Sequence, residues 1–416
     1  MKKLISLLLA IIFLLTLCAC GGKEPSPAPE EDLPPDSIYY DITSVDPREI
    51  VLTLDSNEVP AELFYYWVSY ICSSLEYQIG SAYYYQGLFG ELLNTETGEV
   101  NWAADYEGRP LSEVAKEDAC QAVTFYAAVE NLAAQYGLSI TEEDEATLAE
   151  GRASMVENLG GEEAFQDYLG TIGLSEANYT RINRSAMLYE KLLDLTMDEG
   201  SDLYLAPEDY EAYAAYADHI LLATIDLTTR EPLGEEEASA KRALAEDLLA
   251  RLQAAENQAE LFGQLADEYS EDTGRASNPN GYVVTPDSSF VASFKETALA
   301  LEPGTISGIV ESEYGYHILL RRPLWDALEG DTTQRENLAD TYLGNTIEER
   351  AAGMTAVFSE KLDSFDAGEF YKKYTEALAQ REAAEEAESP SQDSESPSQD
   401  GEAPEGSGDD GQQEEQ

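Results

Sequence analysis

Ala217-Asp218-His219-Ile220-Leu221-Leu222 and Tyr314-Gly315-Tyr316-His317-Ile318-Leu319-Leu320 are the stretches that decide how this chain is read, because they hold its only two histidines. Each histidine opens a short apolar run that reads as a buried strand. Histidine is the side chain that titrates nearest neutral pH, and either ring nitrogen can donate or accept a hydrogen bond. On adjacent strands of one sheet, the two would form a polar pair inside an apolar surround. Spacing alone fits a functional pair and a satisfied core pair equally well.

Working outward, the residues between the histidines alternate short strands with helices. Residues 219–227 read as a strand. Leu244, Leu248 and Leu252 recur one turn apart in a helix over 236–255, and Leu261, Phe262 and Leu265 mark a second over 259–269. A loop rich in Ser, Asp, Asn and Gly follows over 270–280, then a short strand over 281–284 and a helix over 290–301. Glu302-Pro303-Gly304 is a turn, and 306–310 with 316–321 read as a closing strand pair. This order predicts a compact α+β domain of about a hundred residues.

The flanks read as helix. Ile50-Val51-Leu52-Thr53-Leu54 is strand-like, Asp55-Ser56-Asn57 a turn, and Pro60 enters a helix carrying Phe64, Trp67, Val68 and Ile71 at helical spacing. Tyr83-Tyr84-Tyr85 reads first as packing against neighbouring helices, with an exposed binding surface as the alternative. Further helices open at Ser112, at the capping box Thr141-Glu142-Glu143-Asp144 and at Ser175, with stops at Gly137 and Gly160-Gly161. Pro207 starts one more, expected to run to Tyr216. Beyond Pro323 a long, irregular helical pattern over 334–380 could pack back on the first helices and make the central domain an insertion. From Glu385 the sequence is low in complexity, with Ser-Pro-Ser-Gln-Asp repeated, and is read as disordered.

With 83 acidic against 24 basic residues in 416, the net charge is -59, which argues against nucleic acid or an anionic membrane surface as a partner. Residues 1–20 have Lys2 and Lys3, an apolar core over 4–17 too short for an ordinary spanning helix, and Leu17-Cys18-Ala19-Cys20. This resembles a bacterial lipoprotein signal, which implies cleavage after Ala19 and a lipidated Cys20. The acidic, proline-bearing stretch after it reads as a tether. Cys72 and Cys120 then remain, able to form one bridge or to stay as two buried thiols.

Taken together, His219-Ile220-Leu221-Leu222, Leu265-Ala266-Asp267-Glu268-Tyr269-Ser270-Glu271-Asp272, Gly281-Tyr282, Phe290, Phe294, Leu301-Glu302-Pro303-Gly304-Thr305-Ile306-Ser307 and Tyr314-Gly315-Tyr316-His317-Ile318 resemble, in unbroken order, a parvulin-type peptidyl-prolyl isomerase. The lipobox and flanking helices resemble the PrsA-like foldase lipoproteins, with an N-terminal part similar to the chaperone region of SurA. The resemblance implies that Phe290 and Phe294 hold a proline ring, and that His219 and His317 pair through their imidazoles at the pocket floor. It implies too that Ser312 bonds the histidine pair and that Asp272 faces the substrate amide as an electrostatic element. Asn278-Pro279-Asn280-Gly281-Tyr282-Val283 departs from the family pattern. Asn280 stands where an apolar leucine usually lines the substrate slot beside Tyr282, and Phe290 where methionine is common. No basic cluster follows His219, so phosphorylated substrates are not expected.

The expected division is a signal peptide over 1–19, a tether over 20–37, a helical chaperone-like module over 38–206, a parvulin-like domain over 207–323, C-terminal helices over 324–380 and an acidic tail over 381–416. The fold class is α+β: an antiparallel-type sheet surrounded by helices, inserted in or following an all-helical module. The expected function is a membrane-anchored, extracytoplasmic prolyl isomerase that helps exported proteins fold, with no metal or organic cofactor. Its partners would be unfolded or partly folded exported chains bearing X-Pro bonds. The competing expectation is a holdase chaperone with a weak or inactive parvulin domain.

Overall fold

The computed structural model describes residues 37–388 apart from Leu88 and Thr95. Cys20, the signal, most of the tether and the tail from residue 389 lie outside the described residues. A short helix α1 (Ile38–Thr43) leads into the hairpin β1 (Ile50–Leu54) and β2 (Asn57–Pro60), and Pro60 hands the chain to α2 (Ala61–Gln86). A two-residue ladder of β3 (Asp105–Tyr106) and β4 (Arg109–Pro110) precedes α3 (Leu111–Gln135), α4 (Glu142–Leu159), α5 (Glu162–Ile172) and α6 (Glu176–Met197). Local chemistry sets these boundaries. Thr141 and Asp144 make a reciprocal capping box, Ser175 caps α6 through the Asn178 amide, and Gly137 and Gly160 take the left-handed conformation at the ends of α3 and α4.

The helix at Pro207 is shorter than expected. α7 (Pro207–Tyr213) stops at Ala214, and β5 (Ala215–Ala223) begins well before His219. Helix-favouring alanines are drawn into a strand here because Tyr216 and Ala217 pair with strands on both sides, and tertiary pairing overrides propensity. Next come α8 (Glu235–Ala254), α9 (Gln258–Tyr269), β6 (Tyr282–Val284), α10 (Ala292–Ala300), β7 (Val310–Ser312) and β8 (Gly315–Arg322). The sheet order is β6-β5-β8-β7, antiparallel throughout. Two expectations are corrected. Phe290 lies in the bend that leads into α10, outside the helix itself. The edge partner of β8 is the hairpin strand Val310–Ser312, and residue 306 contributes a single bridge to Leu320.

Side chains alternate across this sheet, and the alternation builds the site. Ile220, Leu222, Ile318 and Leu320 face α8 and α9, where they meet Leu248, Leu252, Phe262 and Leu265. Ala215, Ala217 and Leu319 face the other way, toward Phe294 and Ala298 of α10. His219 opposes Leu319 and His317 opposes Leu221, so both histidines share the α10 face. Gly315 starts β8 at φ 141°, and a Cβ there would lie 2.3 Å from the carbonyl oxygen of Leu222. Gly315→Ala is therefore expected to cost about 2 kcal/mol through strain and lost pairing. Chemical denaturation reads this directly, and an unchanged midpoint would mean that the strand relaxes without cost.

After β8, α11 (Trp325–Leu328) and α12 (Thr332–Ala352) lead to β9 (Ala356–Phe358) and α13 (Ala367–Glu388). Leu343 and Ile347 of α12 are buried with Phe125, Leu132 and Leu192 of α3 and α6, while Phe370 and Tyr374 of α13 join the core of Tyr39, Phe64 and Tyr65. The irregular helical pattern expected over 334–380 is interrupted by a strand, and helix continues past residue 380 to Glu388. β9 pairs with β1, giving a three-stranded sheet β2-β1-β9 in a helical module where only the strand at 50–54 was expected. Tyr83, Tyr84 and Tyr85 are 51%, 80% and 80% exposed, so their first reading as packing residues is also corrected. They ride on the solvent side of the last turns of α2. Cys72 is buried, Cys120 half-buried, and both are free thiols.

Candidate active site

Phe294, only 2% exposed, is the centre of a ring cluster on the α10 face of the sheet. It meets His219 edge-on at 5.0 Å between centroids and His317 at 5.7 Å, and it packs against Phe290 at 5.1 Å. Tyr282 of β6 completes the ring, 5.4 Å from Phe290 and 5.9 Å from His219. Three strands and one helix thus contribute to an aromatic pocket with an imidazole floor. Phe290 reaches Phe294 from a bend ahead of α10, so the one-turn spacing expected of a single helix face is replaced by a turn of chain at the helix entrance.

The two imidazoles are adjacent, with centroids 5.5 Å apart and planes tilted by 46°. They do not bond to each other. Among the described residues the Nδ1 atoms of both rings are buried without a partner, which corrects the expected imidazole-to-imidazole hydrogen bond. His317 Nε2 instead lies 2.7 Å from the Ser312 hydroxyl, whose oxygen also accepts from the Tyr314 amide. Antiparallel pairing in the tight hairpin, Ser312 opposite Gly315, brings that hydroxyl to the ring. A buried, unpaired ring nitrogen costs on the order of 1–3 kcal/mol, and such exceptions call for an explanation beyond stability.

Burial is the main electrostatic fact here. It pushes His317 down to about 4, helped by neighbouring His219, and it pushes His219 below its ordinary value against the opposing pull of Asp272 and Asp218. Both rings are neutral at pH 7. Because the folded value of His317 lies below the ordinary 6.5, its contribution to stability is complete above 6.5 and is lost as pH falls toward 4. Below that window the loss reaches about 3 kcal/mol. Denaturation midpoints measured from pH 7 to pH 4 should fall accordingly, and His317→Gln should flatten that slope; an equally steep slope in the variant would assign the effect to other groups.

Asp272 stands at the pocket edge. One carboxylate oxygen accepts from the Tyr282 hydroxyl at 2.6 Å and lies 3.9 Å from His219 Nε2, too far for a hydrogen bond, while the other accepts from the Gly274 amide. Burial and this bond to a carboxylate hold the Tyr282 phenol well above its ordinary range, so it stays a donor. The segment before Asp272 is stitched onto β5. The Leu221 amide donates to the Ser270 hydroxyl, the Glu271 amide to the Leu221 carbonyl, and the Ala223 amide to the Glu271 carboxylate.

Sequence reasoning missed the clamp behind this segment. Asp218, 1% exposed, receives Arg275 at 2.6 Å and Arg322 at 3.0 Å, and Arg275 also reaches Asp267 at 2.7 Å. Arg275 sits in the 3-10 turn Thr273–Ala276 that Asp272 caps, so the ion pair fixes that turn beside His219. A signal was present: an aspartate inside an apolar strand needs a buried cationic partner. Asn280 is exposed, and among the described residues no hydrogen bond or ring contact joins it to the cluster. Its neighbour Gly281 is held instead, at φ 109°, against the backbone of Ala217. Among the described residues no group of three or more His, Cys, Asp or Glu side chains is arranged to hold a metal.

Known proteins bear on this geometry. A family profile described as "Rotamase: PPIC-type PPIASE domain" matches residues 219–322. The chain is 28% identical over 229 residues to "Foldase protein PrsA" of Oceanobacillus iheyensis, a match that covers 54% of this chain and 65% of that protein, just under two thirds. It is 24% identical over 321 residues to "Foldase protein PrsA" of Caldanaerobacter subterraneus subsp. tengcongensis, covering 77% and 82% of the two chains. Among solved structures, "Peptidylprolyl Isomerase (PrsA)" from Bacillus cereus aligns with 80% of this chain and 93% of its own at 17% identity and a TM-score of 0.28. Residues 219–322 thus match the PPIC-type rotamase profile, and the α+β chain that carries them is similar to the two PrsA foldases.

Proposed function

We propose that the protein is a peptidyl-prolyl cis-trans isomerase that assists folding of exported proteins from a lipid anchor on Cys20, at the outer face of the bacterial cytoplasmic membrane. The observation that carries the isomerase reading is the convergence of His219, His317, Phe294, Phe290, Tyr282 and Asp272 on one face of the sheet. The anchor and location rest on the lipobox at residues 17–20. Among the described residues no helix is long and apolar enough to cross a membrane.

The chemistry is a rotation. Turning an X-Pro bond means twisting a partly double amide over a barrier of about 18–20 kcal/mol, with no bond made or broken. Resonance in the planar amide places negative charge on the carbonyl oxygen. A carboxylate at Asp272 facing that oxygen disfavours the planar form, and the aromatic slot of Phe290, Phe294 and Tyr282 holds the proline ring while the preceding residue swings. The neutral histidine pair supplies a polar floor that places no net charge beneath the ring, and Ser312 orients His317.

A proline-tetrapeptide isomerisation assay on the full chain tests the proposal. A rate above the uncatalysed background supports it, and a folded protein with no such rate defeats it. A second reading, a holdase with an inactive pocket, has its own support in the exposed tyrosines Tyr77, Tyr83, Tyr84 and Tyr85 along α2. On that reading the chain suppresses aggregation of an unfolded protein equally well when His219 and Asp272 are alanine. Loss of suppression in those variants would remove it.

A further inference from the structure

The loop that carries Phe290 is tethered to a helix outside the rotamase sheet. Between β6 and α10, residues 285–291 fold on themselves: the Thr285 amide donates to the Ser288 hydroxyl at 2.8 Å, and Lys295 of α10 donates to the Pro286 carbonyl at 2.6 Å. Asp287, at the tip of this turn, accepts a hydrogen bond from the side-chain amide of Asn345, and the same amide donates to the Tyr213 hydroxyl at 2.6 Å. Asn345 belongs to α12, whose Leu343 and Ile347 are buried among α3 and α6. The contact is built rather than incidental. Tyr213 and Tyr342 stack edge-on beside it at 5.2 Å, and Val283 of β6 packs against the cluster that holds Leu338 and Ala339 of the same helix.

We infer that Asn345 is a positioning residue for the proline slot: by holding Asp287 it fixes the turn that presents Phe290 to Phe294, so α12 sets how tightly the pocket grips substrate. The body and the pocket are thereby mechanically joined, and a shift of α12 against α3 and α6 would alter the slot without touching its floor. This inference deepens the isomerase reading and rests on it.

The test uses the full chain and two readouts, one of which needs no turnover. Asn345→Asp puts two carboxylates face to face, and is expected to raise amide exchange over residues 285–291 about tenfold and KM for a proline tetrapeptide by a similar factor, with kcat within about twofold. The exchanged pair Asn345→Asp with Asp287→Asn restores a donor and an acceptor, and should return both readouts toward wild type. Thermal unfolding of both variants separates this from general loss of fold. Wild-type exchange in Asn345→Asp, or a well-folded double variant that recovers neither readout, overturns the inference. A chain with no isomerase activity defeats the proposed function, and the exchange arm then decides the tether by itself.

Discussion

Phe294→Ala should lower kcat/KM on a proline tetrapeptide by about a hundredfold or more and destabilise the domain by about 3–5 kcal/mol. Among the described residues no other ring touches both histidines and Phe290, and none in the pocket is more deeply buried. Removing it opens a cavity between the sheet and α10 and leaves the proline ring without its wall. The two effects separate under conditions where the variant is still folded, as shown by its near-ultraviolet spectrum. Near wild-type kcat/KM there would mean that the substrate binds elsewhere on the domain.

Arg275→Met is expected to cost about 3 kcal/mol, because Asp218 then stays buried with Arg322 as its one remaining partner of the two described. The loss reaches function as well as stability. The turn that Asp272 caps is released from β5, and kcat/KM should fall roughly tenfold. Adding Asp218→Asn to Arg275→Met should recover much of the stability, since the uncompensated charge is gone, while the activity stays low. Fully additive losses in the double variant would show that the two side chains act independently.

The rotamase sheet was legible because its pattern is local. The apolar runs opening at His219 and His317 read as strands, and the resemblance to the family's order of residues paired the two histidines and named Phe294, Asp272 and Ser312 beside them. The misread positions depend on distant partners. The alanines before His219 favour helix until β6 and β8 are present to pair with them. Residues 356–358 sit between helices and become a strand through β1, some three hundred positions earlier in the chain. Asn280 occupies a pocket position by alignment, yet the tight fit of Gly281 against Ala217 turns it outward. Tyr83, Tyr84 and Tyr85 carry the same composition whether buried or bare, and only the packing of α2 decides it.

The pairing of Thr53 with Val357 has a consequence for time as well as for space. A nascent chain completes all four strands of the rotamase sheet once Arg322 has emerged, whereas the sheet that begins at Ile50 must wait for Phe358. The central domain can therefore mature first, while the early helices stand with an open sheet edge and an unfilled place for α13. Closing so long a loop is slow relative to local folding. The last of the described helices is the one that completes the first core, so chains stopped before residue 356 would hold a finished central sheet on an unfinished body.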